Sequence, residues 1–249
     1  MDDETIASRL SRIATNWELL AGAREAGTSD AWLPLFRRYQ GAAYRYLLGA
    51  VRDPDAADDL FQDFAVRVVQ GAFRGANPQR GRFRDYLKSA LFHLIVDHQK
   101  RRRKRPWSLN QECHEPQVQV EETPSADAEF LHSWRDELLA RAWAALENAE
   151  RTGGLPYYTI LKLRTENTEL SSAEMAAELN RRLGSEPAFT ETSVRKALQR
   201  ARAKYADYLL DEVTHSLHGF RLDELEQELI DLGLLDYCRA ALNRHLGRT

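Results

Sequence analysis

Hydrophobic residues recur at helical spacing along the first half of the chain. They lie three or four positions apart in 30–51, in the segment after Asp53-Pro54, and again from Phe83 to about Arg103. Asp55 is predicted to cap the second of these helices. The predicted inward stripe of that helix consists of Ala57, Leu60, Phe64 and Val68.

The second half of the chain has the same helical periodicity. Helices are predicted from about Trp134 to Ala149, after Leu155-Pro156, and after Thr190. Ser171 and Glu174 have the spacing of a capping box, which predicts the start of a further helix. A last amphipathic helix is predicted over about 221–246. Because the chain has no hairpin dipeptide between alternating runs, we predict an all-α protein.

Glycine and proline divide these helices into two modules. Residues 71–81 are predicted to be a loop. The polar segment 106–133, which contains Pro106, Pro116 and Pro124, is predicted to be a linker. The expected order is an N-terminal helical extension (1–29), a helical domain (30–105), the linker (106–133), a second helical domain (134–214) and an acidic C-terminal extension (215–249).

Composition narrows the class of protein. The chain is 43% hydrophobic and 29% charged, which is typical of a soluble globular protein. No apolar run has the length of a bilayer span, and the acidic start predicts no signal peptide and a cytoplasmic location. Cys113 and Cys238 lack CxxC spacing, so neither a metal nor a cofactor is expected.

The helix after Asp53-Pro54 has an acidic outer face. Asp55, Asp59, Gln62 and Asp63 fall opposite the apolar stripe, and Val66 lies among them. Carboxylates around an apolar residue are typical of a protein–protein interface, because a partner can desolvate the apolar position. An ordinary acidic surface would have the same composition.

Basic and aromatic residues alternate between Asn77 and Tyr86, and a basic run follows at 100–105. Arginine and lysine neutralise nucleic-acid phosphates, and aromatic side chains stack on unpaired bases. Two alternatives stay open. Phe83 and Tyr86 have the spacing of core residues, and the basic run is also favourable at a solvated helix end.

The segment from Leu170 to Arg202 has the pattern of a helix-turn-helix. Val194, Leu198, Ala201 and Tyr205 form the predicted inner stripe of its second helix. Short polar and basic groups on the other faces suit base edges and phosphates. These outer candidates are Thr192, Ser193, Arg195, Lys196, Gln199, Arg200 and Arg202.

The segment 33–104 resembles region 2 of sigma-70-type factors, especially the extracytoplasmic-function group. The sequence Ala57-Asp-Asp-Leu-Phe-Gln-Asp-Phe64 is similar to the acidic helix with which this family binds the β′ clamp helices of RNA polymerase. The preceding segments 35–39 and 44–48 match the family's first helix in type and placement. The resemblance implies that core polymerase is bound by Asp58, Asp59, Gln62, Asp63 and Val66.

Two further segments resemble the DNA-binding parts of that family. Residues 78–87 are similar to the loop and helix that capture the non-template strand of the −10 element. The implied contacts are Arg80, Arg82, Phe83, Arg84, Lys100, Arg101 and Arg102. The helix-turn-helix resembles region 4, which reads the −35 element, but its turn at 180–190 is longer and Ala197 replaces a residue that is often basic. The two terminal extensions resemble those of planctomycete-type sigma-like factors.

The combined prediction is an alternative sigma factor without enzymatic activity. Its expected partners are core RNA polymerase, through the β′ clamp helices and the β flap, promoter DNA, and an anti-sigma factor or another regulatory protein. A stand-alone helix-turn-helix regulator is the alternative, and it would need no docking helix. A hydrolase that uses Asp58, Asp59 and Asp63 around Mg²⁺ is disfavoured, because one exposed helical face does not enclose a metal. The acidic tail is expected either to pack on a domain or to compete with DNA for the basic helix.

Overall fold

The computed structural model describes residues 32–70, 82–104, 124–184, 188–217 and 221–247, without the side chains of 32–37, 69, 102–104 and 124–126. These residues form helices and no strand, which confirms the all-α prediction. The helices are α1 (Trp32–Val51), α2 (Pro54–Val69), α3 (Phe83–Lys104), α4 (Pro124–Arg151), α5 (Tyr157–Glu166), α6 (Ser172–Leu183), α7 (Glu191–Ser216), α8 (Leu222–Asp231) and α9 (Leu235–Leu246).

The described residues fall into two compact units, which are divided between Glu137 and Leu138. Helices α1 to α3 and residues 124–137 of α4 belong to the first unit. The rest of α4 and helices α5 to α9 belong to the second. Among the described helices, none has both the length and the apolar character that crossing a membrane requires.

Helix α2 packs its apolar stripe inward as predicted, and Ala57, Leu60, Phe64 and Val68 are all buried. The helix begins differently from the prediction, because Asp53 rather than Asp55 is its cap. The Asp53 carboxylate accepts hydrogen bonds from the backbone amides of Asp55 (3.0 Å) and Ala56 (3.3 Å). Pro54 occupies the first turn, where its missing N–H group costs no hydrogen bond.

Helix α4 begins at Pro124, within the segment predicted to be a linker. Proline is favourable in the first turn of a helix, so Pro124 starts α4 instead of extending the linker. Phe130 and Trp134 are buried in the first unit. Their rings lie 5.1 Å from Tyr46 and 4.5 Å from Tyr39, respectively. Residues 124–137, here called the bracing segment, are therefore part of the core of the first unit.

Ion pairs fasten the bracing segment to two other helices. Arg45 of α1 donates to Glu137 at 2.7 Å, and both side chains are mostly buried. Lys88 of α3 donates to Asp127 at 2.8 Å in a more exposed position. A Cβ atom at Gly41 would collide with the Glu137 carboxylate, so glycine allows this close approach.

In the second unit, a core cluster joins α5, α6 and the first half of α7. Its members are Ile160, Leu163, Met175, Ala176, Leu179, Val194 and Leu198. The predicted inner stripe of α7 is confirmed, because Val194, Leu198, Ala201 and Tyr205 are all buried. These contacts hold α5, α6 and the first half of α7 together.

Side-chain hydrogen bonds cap the N-termini of α6 and α7. Ser171 and Glu174 form the predicted capping box of α6, and Thr190 and Ser193 form another at the start of α7. Across the longer turn, the Asn180 side chain accepts from the Phe189 amide (2.6 Å) and donates to the Phe189 carbonyl (3.0 Å). This polar clamp at Asn180 thus joins the end of α6 to the residue before the cap of α7.

The C-terminal tail consists of two helices, whereas the sequence predicted one. Gly233 adopts a φ of 66°, which ends α8 because this left-handed conformation favours glycine. The Leu234 amide then donates back to the Leu229 carbonyl at 2.8 Å. Leu229 and Leu242 are buried, and Arg244 donates to Asp207 of α7 at 2.6 Å. The tail therefore packs on the second half of α7.

Candidate docking and nucleic-acid surfaces

Helix α2 carries an acidic face that consists of Asp59, Gln62, Asp63 and Val66. All four side chains are exposed, and Val66 retains 37% of its accessible surface. The stripe of buried residues on the opposite side fixes this orientation, because it anchors α2 to α1 and α3. A rigid helix thus presents carboxylates around one apolar side chain.

Asp58 differs from the other predicted docking residues. The buried Tyr44 hydroxyl donates to the Asp58 carboxylate at 2.6 Å, and Asp58 is only partly exposed. The Tyr44 ring also packs edge-on against Phe61 at 5.7 Å. Asp58 therefore joins α1 to α2, a role that the sequence did not reveal because Tyr44 lies on another helix.

One ion pair connects the acidic face with the basic end of α3. Arg101 lies 3.7 Å from Asp63, and the two side chains are 60% and 53% exposed. Water and salt screen such a pair, so it contributes at most about 1 kcal/mol. A partner of either charge can displace it at little cost.

Two of the predicted single-strand contacts are buried in the structure. Phe83 is 3% exposed and lies near the rings of Tyr39 (6.3 Å) and Trp134 (6.2 Å). Arg84 is 6% exposed. Helical spacing places both on the inner side of α3, together with Leu87, where a DNA base or phosphate does not reach them.

Tyr86 is the exposed aromatic residue near the start of α3, and it was not among the predicted sites. Helical spacing places it on the same outer side as His93 and Lys100. Its spacing from Phe83 was also compatible with a core position, so the sequence alone did not reveal this exposure. Arg82 is partly exposed and donates to Asp85 at 3.1 Å.

The structure describes some of the other basic residues that were predicted to contact single-stranded DNA. Lys100 and Arg101 are exposed. Arg80 lies outside the described residues, and so does the side chain of Arg102. Of the predicted basic contacts, Arg82, Lys100 and Arg101 are thus those whose side chains are described and at least partly exposed.

Helix α7 carries a basic face that consists of Thr192, Arg195, Lys196 and Gln199. All four side chains are exposed. At about 100° per residue they share one side of the helix, opposite the buried stripe. Arg200 and Arg202 are exposed on the two flanks of this face.

Local contacts engage two of the candidate side chains near the start of α7. Ser193 donates to the Thr190 carbonyl at 2.9 Å and accepts from the Thr190 amide, so its hydroxyl belongs to the cap rather than to a DNA contact. Arg195 forms an ion pair with Glu191, one turn earlier. Both side chains of that pair are exposed, so phosphate can compete for Arg195.

Glu178 neutralises the basic end of α6. Hydrogen bonds from Arg181 (2.6 Å) and Arg182 (2.5 Å) lower the pKa of the Glu178 carboxyl to about 2. The carboxylate is therefore ionised at any pH near neutrality. These two arginines consequently add less positive charge to the surface of the supporting helix than their number suggests.

Comparison with known proteins identifies the first unit's helices α1 to α3. Residues 35–105 match the family model of Sigma-70 region 2. No curated protein and no solved structure gave a significant match. The matched segment contains the acidic face and the outer side of α3, whereas the bracing segment and helices α5 to α7 lie outside it. The match supports a sigma factor of the sigma-70 family, a class of protein that acts in promoter recognition and transcription initiation.

Proposed function

We propose that this chain is an alternative sigma factor of the extracytoplasmic-function type. It binds core RNA polymerase, recognises −10 and −35 promoter elements and promotes melting of the start site, without catalysing a reaction itself. The main support is the exposed acidic face of α2, which lies inside the segment that matches Sigma-70 region 2. A stand-alone regulator does not bind core polymerase and would not need such a face. We propose a cytoplasmic location, which does not distinguish the two functions.

Docking is assigned to Asp59, Gln62, Asp63 and Val66, with the β′ clamp helices as partner. Exposed carboxylates steer a basic partner, and Val66 supplies the apolar position that becomes desolvated on contact. Asp58 acts indirectly, because its bond to Tyr44 fixes α2 on α1. The β flap and an anti-sigma factor are further proposed partners.

Capture of the −10 strand is assigned to the outer side of α3 and the loop before it. Arg82, Lys100 and Arg101 are proposed to neutralise phosphates, and Arg80 and Arg102 extend this set along the sequence. Tyr86 replaces Phe83 as the proposed stacking residue, because a base can reach only an exposed ring.

Reading of the −35 element is assigned to the basic face of α7. Thr192, Arg195, Lys196 and Gln199 combine base-edge and phosphate chemistry on one side of the helix. Arg200 and Arg202 lie on its flanks and are proposed to contact the backbone of the duplex. The supporting helix α6 and its clamp at Asn180 hold α7 in place.

Co-purification with core polymerase tests docking. The double variant Asp59→Arg and Asp63→Arg should lose holoenzyme formation, because each attractive charge becomes repulsive and costs several kcal/mol of binding, roughly 1.5–7 for close pairs. The matched control is Asp223→Arg with Glu226→Arg, which makes the same charge change on exposed residues of α8.

Retention of polymerase by the folded Asp59/Asp63 variant would exclude this docking face. Run-off transcription then tests the DNA assignments with the same preparations. Arg195→Ala should weaken initiation by about 1–3 kcal/mol at promoters with a −35 element, with relaxed preference at one base if the contact is bidentate. Promoter-specific DNA binding that never requires polymerase would instead favour the stand-alone regulator.

A further inference from the structure

The second unit contains an apolar cavity of about 360 Å³ between α4, α5, α7 and α9. Its walls include Trp143, Leu161, Tyr205, Leu209, Leu234 and Tyr237. Cavities that bind small molecules measure roughly 300–1,000 Å³ and have mostly apolar walls with few polar groups. The size and lining of this cavity therefore fit a small ligand rather than a structural void.

Aromatic contacts hold the cavity walls in place. The Tyr205 ring lies 4.9 Å from Trp143 and 6.0 Å from Tyr237, edge-on in the second case. The Tyr205 hydroxyl donates to the Leu139 carbonyl at 3.1 Å, and burial raises the pKa of Tyr205, so it remains a neutral donor. The aromatic wall is thus formed before any ligand arrives.

The charge at the rim of the cavity is positive. Arg164 is committed to the fold, since it donates to the carbonyls of Leu170 (2.7 Å) and Thr168 (3.2 Å). Arg202 lines the cavity from the flank of α7 and is exposed. Within the part of the chain that the structure describes, no acidic residue lines the cavity. An arginine beside apolar walls favours an anion with an apolar body.

We propose that this cavity binds a small aromatic monoanion, with its ring against the aromatic wall and its carboxylate or sulfonate on Arg202. Leu234 and Tyr237 belong to the tail, whereas Arg202 belongs to the helix that carries the basic face. An occupant therefore contacts both the tail and α7, and its anionic group removes one basic flank of that helix from DNA. The binding step is independent of the polymerase assignments.

Two fluorescent probes test the proposal on the full-length chain. The anion 1-anilinonaphthalene-8-sulfonate has the required chemistry, and N-phenyl-1-naphthylamine is its uncharged counterpart. Arg202→Gln should weaken binding of the anion roughly tenfold, because a charge-assisted contact is lost, and leave the uncharged probe unchanged. Arg200→Gln is the matched control, since Arg200 is exposed on the same helix and does not line the cavity.

Filling the cavity gives a second, independent readout. Leu234→Trp should abolish saturable binding of both probes while circular dichroism still reports a folded helical protein. Thr165→Phe fills the cavity from the opposite wall and replaces Leu234→Trp in this test if Leu234→Trp does not fold. No saturable binding to the wild-type chain would overturn the proposal. Equal binding by a folded filled variant, or an equal loss in Arg202→Gln and Arg200→Gln, would overturn it as well.

Discussion

The bracing segment of the first unit and the tail of the second complete their cores in different ways. The bracing segment inserts Phe130 and Trp134 among other aromatic rings and adds ion pairs at both ends. The tail packs Leu229 and Leu242 on α7 and contributes one wall of an open cavity. Tight aromatic packing fixes the bracing segment, whereas the looser packing between the tail and α7 leaves a cavity that has space for a ligand.

This difference has a consequence for the surfaces that each segment supports. The bracing segment contacts Phe83 directly and so holds the start of α3, next to the proposed single-strand surface. The tail packs on the second half of α7, beyond the basic face at its first turns. Loss of either segment is therefore expected to act first on stability.

The largest effect is expected at Trp134. Trp134→Ala removes a fully buried ring from the first unit and should lower its free energy of unfolding by about 3–5 kcal/mol. Chemical denaturation checks this value. Trp143→Ala is the matched control on the same helix, where a half-buried ring should cost less. Equal costs for the two tryptophans would show that the bracing segment is not a core element.

A comparable but smaller effect is expected in the tail. Leu229→Ala should cost about 2–5 kcal/mol in the second unit, because Leu229 is fully buried. The neighbouring Ile230 is 49% exposed, and Ile230→Ala should change stability by no more than about 0.5 kcal/mol.

Truncation after Thr214 extends this test to DNA binding. We expect lower thermal stability with unchanged affinity for promoter DNA, as the packing of the tail suggests. A gain in affinity, larger at low salt than at high salt, would instead support competition between the acidic tail and DNA.

The ion pairs of the bracing segment give a weaker effect. Glu137→Ala should cost roughly 1–3 kcal/mol, because it leaves the mostly buried Arg45 guanidinium without this carboxylate. Asp127→Ala breaks the exposed pair with Lys88 and should cost less than about 1 kcal/mol. Thermal unfolding of both variants checks the order. A larger cost at Asp127 would contradict the assigned difference in burial.

The smallest effect concerns a single thiol in the tail. Burial raises the pKa of Cys238 to about 12, so the thiol stays protonated at pH 8 and should react slowly with a disulfide reagent. A Cys113→Ser background isolates this thiol. Leu229→Ala should speed the reaction by loosening the tail, whereas Ile230→Ala should not. Fast reaction in the Cys113→Ser protein would show that the tail opens readily.

Local patterns predicted the helices and their inner stripes well. The stripe of α2 and the stripe of α7 were predicted from spacing, because one face of each helix is apolar over several turns. Sequence patterns gave wrong helix starts where a residue is compatible with two local structures. Pro124 was read as part of a linker although it starts a helix, and Asp55 was chosen as a cap although Asp53 precedes the proline.

The exposure of the candidate surface residues was predicted correctly for some residues and not for others. The structure exposes Asp59, Asp63 and Lys196 as expected, because charged residues opposite an apolar stripe lie in solvent. Phe83 and Arg84 were expected at the DNA surface but are buried. The spacing of Phe83 was already compatible with a core position, and the rings of Tyr39 in α1 and Trp134 in α4 pack against it.

The sequence by itself determined the helical class, the acidic character of α2 and the basic character of α7, because these follow from residue type and a period of 3.6. Only the tertiary structure decided that 124–137 belongs to the first core, that Tyr44 holds Asp58, and that the tail forms one wall of a cavity with Arg202 at its rim. The physical reason is that these features join residues distant in the chain, and packing between helices is set by shape and burial rather than by local spacing.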